Sequence, residues 1–336
     1  MTIRNCLKFL AWTVFFTVTL GYLALRYLIW PQVPSLKPRI EASLTQQLGK
    51  PLTIGSIQTS WDRFMPSLSI SQITIGGQSQ AMDAVAPALS LANVEATLSW
   101  RTLTSLDLKF ASIVFRQPQI QIKRLVSGAF EIAGIALLKD DKSDDKSGLR
   151  WLLDQRNIQI IDGQLLWQDE LAAGAPVIAN AVQARLQSRG RSHQLAGQIG
   201  QIVDANTQAV LATGIDVRGD FLRPVGSQTI DLARWGGDTY VAFSKLQLPA
   251  LEVQLKPWLA AEQQHWLDTI KSGRLDARAW LKFSETSLPQ MQVNLSADTI
   301  TALAPNQIPL TQKRLINLSK LQLSTKIERR RSESVV

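Results

Sequence analysis

From Leu52 to about Leu295, apolar and polar residues alternate in short stretches, and this period of two dominates the chain. Val94, Ala96, Leu98 and Trp100 alternate with Glu95, Thr97 and Ser99, and Leu106, Leu108 and Phe110 follow the same rule. So do Ile120 with Ile122, Ile158 with Ile160, and Val182 with Ala184 and Leu186. Farther on come Leu275, Ala277, Ala279, Leu281 and Phe283, then Met291, Val293 and Leu295. Successive side chains of a strand point to opposite sides, so each stretch predicts a strand with one apolar and one polar face. Strands of this kind build antiparallel sheets with one face in water, whereas buried parallel strands read as continuous apolar runs. The expected fold class is mainly β.

Three segments break the period. Leu36, Ile40, Leu44 and Leu48 recur every four residues, which predicts a helix over Ser35–Leu48 ended by Gly49. Pro257 to Lys271 reads as a second helix, with Pro257 at its start and Gly273 just past its end. Between them, Lys139 to Lys146 runs Lys-Asp-Asp-Lys-Ser-Asp-Asp-Lys, a mixed-charge stretch expected as a surface loop or linker.

The N-terminus follows another rule. Phe9 to Leu25 contains no charged residue, and seventeen residues at about 1.5 Å each make roughly 26 Å of helix, near the lower limit for a bilayer core. Phe9, Trp12, Phe15, Phe16, Leu20 and Leu25 are its bulky apolar members. Tyr27 and Trp30 stand where an interfacial aromatic belt is expected. Gly21-Tyr22-Leu23-Ala24-Leu25-Arg26 offers no small-x-small cleavage site, so the segment reads as an uncleaved anchor rather than a signal peptide. A short basic N-tail before a long body places the tail in the cytoplasm. The expected organisation is an anchor over 1–30, a membrane-proximal β segment over 31–136, a charged linker over 137–148, a second β segment over 149–312 and a basic, unfolded tail over 313–336.

The net charge of +9 suggests nucleic acid until it is mapped. Residues 1–39 carry five Lys/Arg and no acid, and residues 313–336 carry seven Lys/Arg and two Glu, so each end holds +5 and the remainder holds −1. A body of that balance lacks the charge excess of a nucleic-acid binder. Cys6, the single cysteine, permits no internal disulfide. His193 and His265 have no ligand set or nucleophile in a recognisable frame, and the Asp residues of 140–145 lack the Gly and Glu spacing of a cation loop. Asp162, Asp169, Glu170 and Asp231 read as strand borders, and Gly76-Gly77 and Gly236-Gly237 as turns. No catalytic, metal-ligating or cofactor-binding residue is expected, and no cofactor.

Three passages carry a family resemblance. The first runs Ile29-Trp30-Pro31-Gln32 through Pro38-Arg39-Ile40-Glu41, then Leu48-Gly49-Lys50-Pro51-Leu52-Thr53-Ile54-Gly55, Trp61 and Pro66. The second is Leu149-Arg150-Trp151-Leu152-Leu153-Asp154-Gln155 with Ile158, Leu165, Trp167, Gln168 and Asp169. The third is Trp235-Gly236-Gly237-Asp238-Thr239-Tyr240-Val241, followed by Leu248 and Trp258-Leu259. In this order and spacing they resemble the N-terminal part of the YhdP family, within the AsmA-like superfamily of Gram-negative envelope proteins. The resemblance implies an inner-membrane anchor, a periplasmic body built as an elongated, twisted antiparallel β-groove with short capping helices, and passage of phospholipid acyl chains along that groove. Its partners are then phospholipid, the inner membrane and other envelope proteins, with no nucleic acid. Members of the family are several times longer, so this chain is expected to correspond to one section of such a protein or to a shortened frame.

Alternation alone does not separate a groove that meets acyl chains from a sandwich whose apolar face meets a second sheet. The groove, on the strength of the resemblance, is assigned Val94, Ala96, Leu98, Leu106, Leu108, Phe110, Ile120, Ile122, Ile158, Ile160, Leu275, Leu281, Met291 and Val293. A binding scaffold for outer-membrane protein assembly is the alternative, recognisable by an exposed strand edge that captures a partner strand. An envelope enzyme is a third class, and it lacks converging polar groups in the sequence.

Overall fold

The computed structural model describes residues 3–48, 51–75, 89–102, 109–132, 135–136, 153–224, 235–255, 264, 269–284, 290–303 and 315–328. Helix α1 (Ile3–Ala24) continues through a π-helical turn (Leu25–Ile29) and a 3-10 turn (Trp30–Leu36) into α2 (Lys37–Leu48). The irregular turns have a covalent cause: Pro31 and Pro34 have no backbone N–H to give to the carbonyls one turn back. The expected helix over Ser35–Leu48 is therefore present, starting two residues later.

Among the described residues fourteen strands follow, all in one sheet. They are β1 (Leu52–Asp62), β2 (Met65–Ile75), β3 (Leu89–Leu98), β4 (Phe110–Arg124), β5 (Phe130–Ile132), β6 (Ile135–Ala136), β7 (Asn157–Asp169), β8 (Val177–Arg189), β9 (Ser192–Asp204), β10 (Val210–Leu222) and β11 (Gly236–Gln247). Helix α3 (Leu248–Leu255) precedes β12 (Ile270–Phe283), β13 (Gln290–Leu303) and β14 (Leu315–Glu328). Twelve lie side by side in chain order, with β5 and β6 as a small flap beside β4. Eleven spacings of about 4.8 Å make a twisted, open sheet about 50 Å across. The pairs are antiparallel except β4 with β7, which run parallel and so depart from an all-antiparallel sheet. The long chain between them, 125–156, supplies the crossover that a parallel pair needs.

Several sequence expectations are corrected. The C-terminal stretch from Leu315 to Glu328 is strand β14, not an unfolded tail: Leu321 and Leu323 pair with Ala297 and Leu295 and continue the apolar side of the sheet. The second helix occupies Leu248–Leu255, and Ile270 and Lys271 already belong to β12; residues 256–263 and 265–268 lie outside the described residues. Gly236-Gly237 opens β11 rather than forming a turn. A Cβ on Gly237 would collide with the carbonyl oxygen of Asp220 on β10, so glycine there permits close strand approach. The 137–148 run, Gly76-Gly77, Asp231 and His265 lie outside the described residues.

A seam of unpaired positions crosses the sheet. Ladder pairing skips Gly55 against Gln72, Gln72 against Ala92, and Ala92 against Gln117. It skips Ala181 against Gly200 and Gly200 against Gly214, and at the far end Asp298 against Lys320. Left-handed backbone recurs along this line at Gln72 (φ 55°), Gln117 (48°), Asp162 (55°), Ala181 (52°), Lys245 (56°) and Lys320 (54°). Asp162 is therefore a mid-strand residue, not a border, and its carboxylate accepts a hydrogen bond of 3.0 Å from Gln117 Nε2. Across most of these gaps the register is kept; an extra residue, a true β-bulge that adds local twist, occurs on this line between Ile160 and Gly163, between Thr213 and Ile215 and between Phe243 and Leu246.

Candidate functional site

Because residues directly opposite each other in a ladder share a face, the registers can be followed from edge to edge. Ile54 lies opposite Ile73, Ile73 opposite Leu91 and Leu91 opposite Pro118. Ile113 meets Ile158, Ile158 meets Leu186 and Leu186 meets Leu195. Ile199 meets Ile215, Ile215 meets Phe243 and Phe243 meets Ala277. Ala277 meets Leu295, which meets Leu323. One side of the sheet is thus apolar across all twelve strands. The other carries Ser69 with Asn93, Glu95 with Arg116, Gln164 with Asn180 and Asn294 with Ser324, each pair joined by a side-chain hydrogen bond between neighbouring or nearby strands. Tyr240 and Trp280, 5.3 Å apart, are two large rings on this side.

Val94, Ala96, Leu98, Phe110, Ile120, Ile122, Ile158, Ile160, Leu275, Leu281, Met291 and Val293 all fall on the apolar face. Leu106 and Leu108 lie outside the described residues. Burial changes along the sheet. Val94, Ala96, Phe110 and Ile113 are buried in one cluster with Leu91, and Ile215 is 3% exposed. Toward the last strands the face opens: Leu281 and Met291 are 38% exposed and Leu323 59%. Among the described residues no second sheet covers it.

The two edges of the sheet are treated differently. Along β1, Glu41 Oε1 accepts the Ile54 amide at 2.7 Å, Thr45 Oγ1 accepts the Leu52 amide at 3.2 Å, and Lys37 Nζ donates to the Gly55 carbonyl at 2.9 Å. Side chains of α2 thereby satisfy the ladder groups an edge strand leaves unpaired, while Val33, Ile40 and Leu44 pack on Leu52, Ile54, Ile57 and Ile75. At the opposite edge β14 is bordered by no further strand among the described residues.

Helix α1 is the one candidate membrane span among the described residues by length and apolarity. Phe9, Trp12, Phe15, Phe16 and Leu20 are exposed along it, and Tyr27 is exposed beyond it. Leu25 is half-buried in the π-helical turn. Trp30 corrects the sequence reading: it is buried, not an interfacial residue, and its indole N–H donates to the carbonyls of Ser60 at 3.0 Å and Ser67 at 3.3 Å. Tyr22 packs on Trp61 at 5.5 Å and on Trp100 at 6.3 Å between ring centroids. The end of the apolar helix is therefore fixed to the strand ends where β1 and β3 finish.

That same strand-end edge holds a cavity of about 500 Å3 lined by Arg101, Lys109, Arg156, Arg189 and Arg223, with Asp154 as its one acidic lining residue among those described. Five cations against one carboxylate leave +4. The cations span more than a hundred positions of a body whose net charge is −1, so net charge hid them; each lies at or beside the end of a strand of the structure. Asp154 accepts from Arg223 at 3.3 Å, and Phe110 at the cavity wall leads onto the apolar face.

Beside the cavity His193 is 1% exposed, shares a 2.9 Å hydrogen bond between Nδ1 and Ser188 Oγ, and stacks on Trp235 at 5.0 Å. Burial first, and then the Arg223 charge, lower its pKa from the ordinary 6.5, with Asp154 partly opposing. The unfolded chain then binds a proton near pH 6.5 that the folded chain resists, so the stability from neutral His193 is complete above that pH and is lost as pH falls below it. Urea midpoints at pH 7.5 and 5.5 are expected to show this fall in the wild type and a smaller one in His193→Gln.

No group of three or more His, Cys, Asp or Glu suited to a metal occurs among the described residues. Comparison with curated proteins and with solved structures finds no match. The model of the family described as YhdP protein matches residues 1–333, nearly the whole chain. A one-sided apolar sheet joined at its capped edge to an apolar N-terminal helix thus comes from a chain that belongs to the YhdP family.

Proposed function

We propose that this protein guides phospholipid acyl chains along the apolar face of its sheet, from the inner membrane toward the outer membrane, without catalysing a reaction. In this reading α1 anchors the chain in the inner membrane and the sheet stands in the periplasm. The observation that carries it is the unbroken apolar side of twelve strands, open toward β14 and held at the other end beside an apolar helix. Each methylene transferred from water to such a surface gains about 0.8 kcal/mol, so an acyl chain is held by area rather than by a specific contact. Membership of an envelope family supports the same role.

A second reading rests on β14. Its 14-residue outer edge is free among the described residues and could accept a partner strand, as a scaffold for envelope assembly would require. One experiment separates the two. A photo-crosslinking amino acid at Val241 or Leu281, on the apolar face, is expected to yield phospholipid adducts in cells, and the same group at Gln292, on the polar face, none. Protein adducts at β14 with no lipid at Val241 or Leu281 overturn lipid carriage in favour of the scaffold.

A further inference from the structure

The basic cavity lies where the sheet meets the apolar helix. Trp100 touches Tyr22 of α1, and the next residue, Arg101, lines the cavity. Phe64, in the β1–β2 turn on the same edge, is 72% exposed, and Arg63 stands beside it. Aromatic and cationic side chains at the end of an apolar helix are the groups that settle at a headgroup layer. The cavity is thus set at the level of the bilayer surface whenever α1 spans the membrane.

Its chemistry selects an anion. Arg156 directly precedes β7, Arg189 ends β8, Lys109 directly precedes β4, and Arg223 directly follows β10. Guanidinium groups converging from different strands suit the tetrahedral oxygens of a phosphate, which accept bidentate hydrogen bonds. Phe110 belongs to both neighbourhoods: it lines the cavity, and it packs with Val94, Ala96 and Ile113 on the apolar face. A ligand with a phosphate in the cavity therefore has its apolar part directed onto that face.

We propose that this cavity binds the phosphodiester of a membrane phospholipid and positions it for entry of its acyl chains onto the apolar face. The proposal rests on the lipid-carrying reading above and adds to it a headgroup site, with Arg156 and Arg189 as its principal cations.

The test uses the full chain in detergent micelles and three probes: dihexanoyl-phosphatidylglycerol, dihexanoylglycerol with the same chains and no phosphate, and glycerol phosphate alone. Wild type is expected to bind the phospholipid about tenfold more tightly than the diacylglycerol, the range of one charge-assisted interaction, and glycerol phosphate more weakly than either. Arg156→Gln with Arg189→Gln is expected to remove the tenfold advantage and leave diacylglycerol binding unchanged, with Arg156→Lys and Arg189→Lys retaining part of it. Unchanged diacylglycerol binding also reports that the double variant is folded. Equal affinity for both lipids in wild type overturns the headgroup site and leaves lipid carriage standing. Binding of glycerol phosphate as tight as that of the phospholipid assigns the cavity to a soluble anion and overturns the proposal. Failure of both lipids to bind overturns lipid carriage, and the headgroup site with it.

Discussion

Replacing Leu281 and Val293 together by glutamate is expected to lower the affinity of the sheet for acyl chains on the order of a hundredfold, with little change in folding stability. The two positions lie on the apolar face of adjacent strands: Leu281 is opposite Met291, and Val293 follows two residues along β13. Leu281 is 38% exposed, so a charge there stays hydrated in the empty protein. When an acyl chain lies over it, that charge must be stripped of water without a partner, which is strongly unfavourable. Loss of contact for three or four methylenes at about 0.8 kcal/mol each amounts to roughly 3 kcal/mol, or about a hundredfold. Binding of a fluorescent fatty acyl probe measures the change. Gln292→Glu and Asn294→Glu on the polar side are the controls, and an equal loss from them would show that net charge, not the face, is responsible.

The second large effect concerns the joint between helix and sheet. Trp30→Ala is expected to destabilise the body by about 3–5 kcal/mol, as removal of a buried aromatic does. The indole fills the space between the 3-10 turn and the β1–β2 hairpin, where it also meets Trp61 at 6.3 Å, and its N–H bridges the Ser60 and Ser67 carbonyls. Trp30→Phe keeps most of the buried area and forfeits the hydrogen bonds, at about 1–2 kcal/mol. Urea unfolding followed by circular dichroism separates the two variants. Equal, small losses from both would mean that the turn is held by the proline-fixed backbone rather than by the ring.

Much of this architecture was legible in the alternation, because a period of two says which side each residue takes before any partner is known. Every described groove candidate, from Val94 to Val293, reached the same side for that reason. What alternation could not supply was the identity of neighbours. The parallel β4–β7 join leaves no local trace, since both strands alternate as antiparallel ones do. β14 was hidden by its charge: Lys320 and Lys326 made 313–336 look like a solvated tail, although Leu321 and Leu323 lie between them. Trp30 was misplaced because an aromatic after an apolar helix suits a lipid interface and a packed joint equally well. The basic cavity needed three dimensions, since its cations come from five separate strand ends.

The seam of unpaired positions bears on how long such a sheet can be. With the interruption at one level in successive strands, each antiparallel pair is a hairpin creased at the same height. Such pairs are interchangeable units of growth. Another pair laid on the free β14 edge in the same register presents its apolar residues to the same side and carries the crease forward. The capped β1 edge cannot be extended in this way, because α2 occupies its ladder groups. Any added hairpin can therefore join only at the β14 edge, the side away from the apolar N-terminal helix.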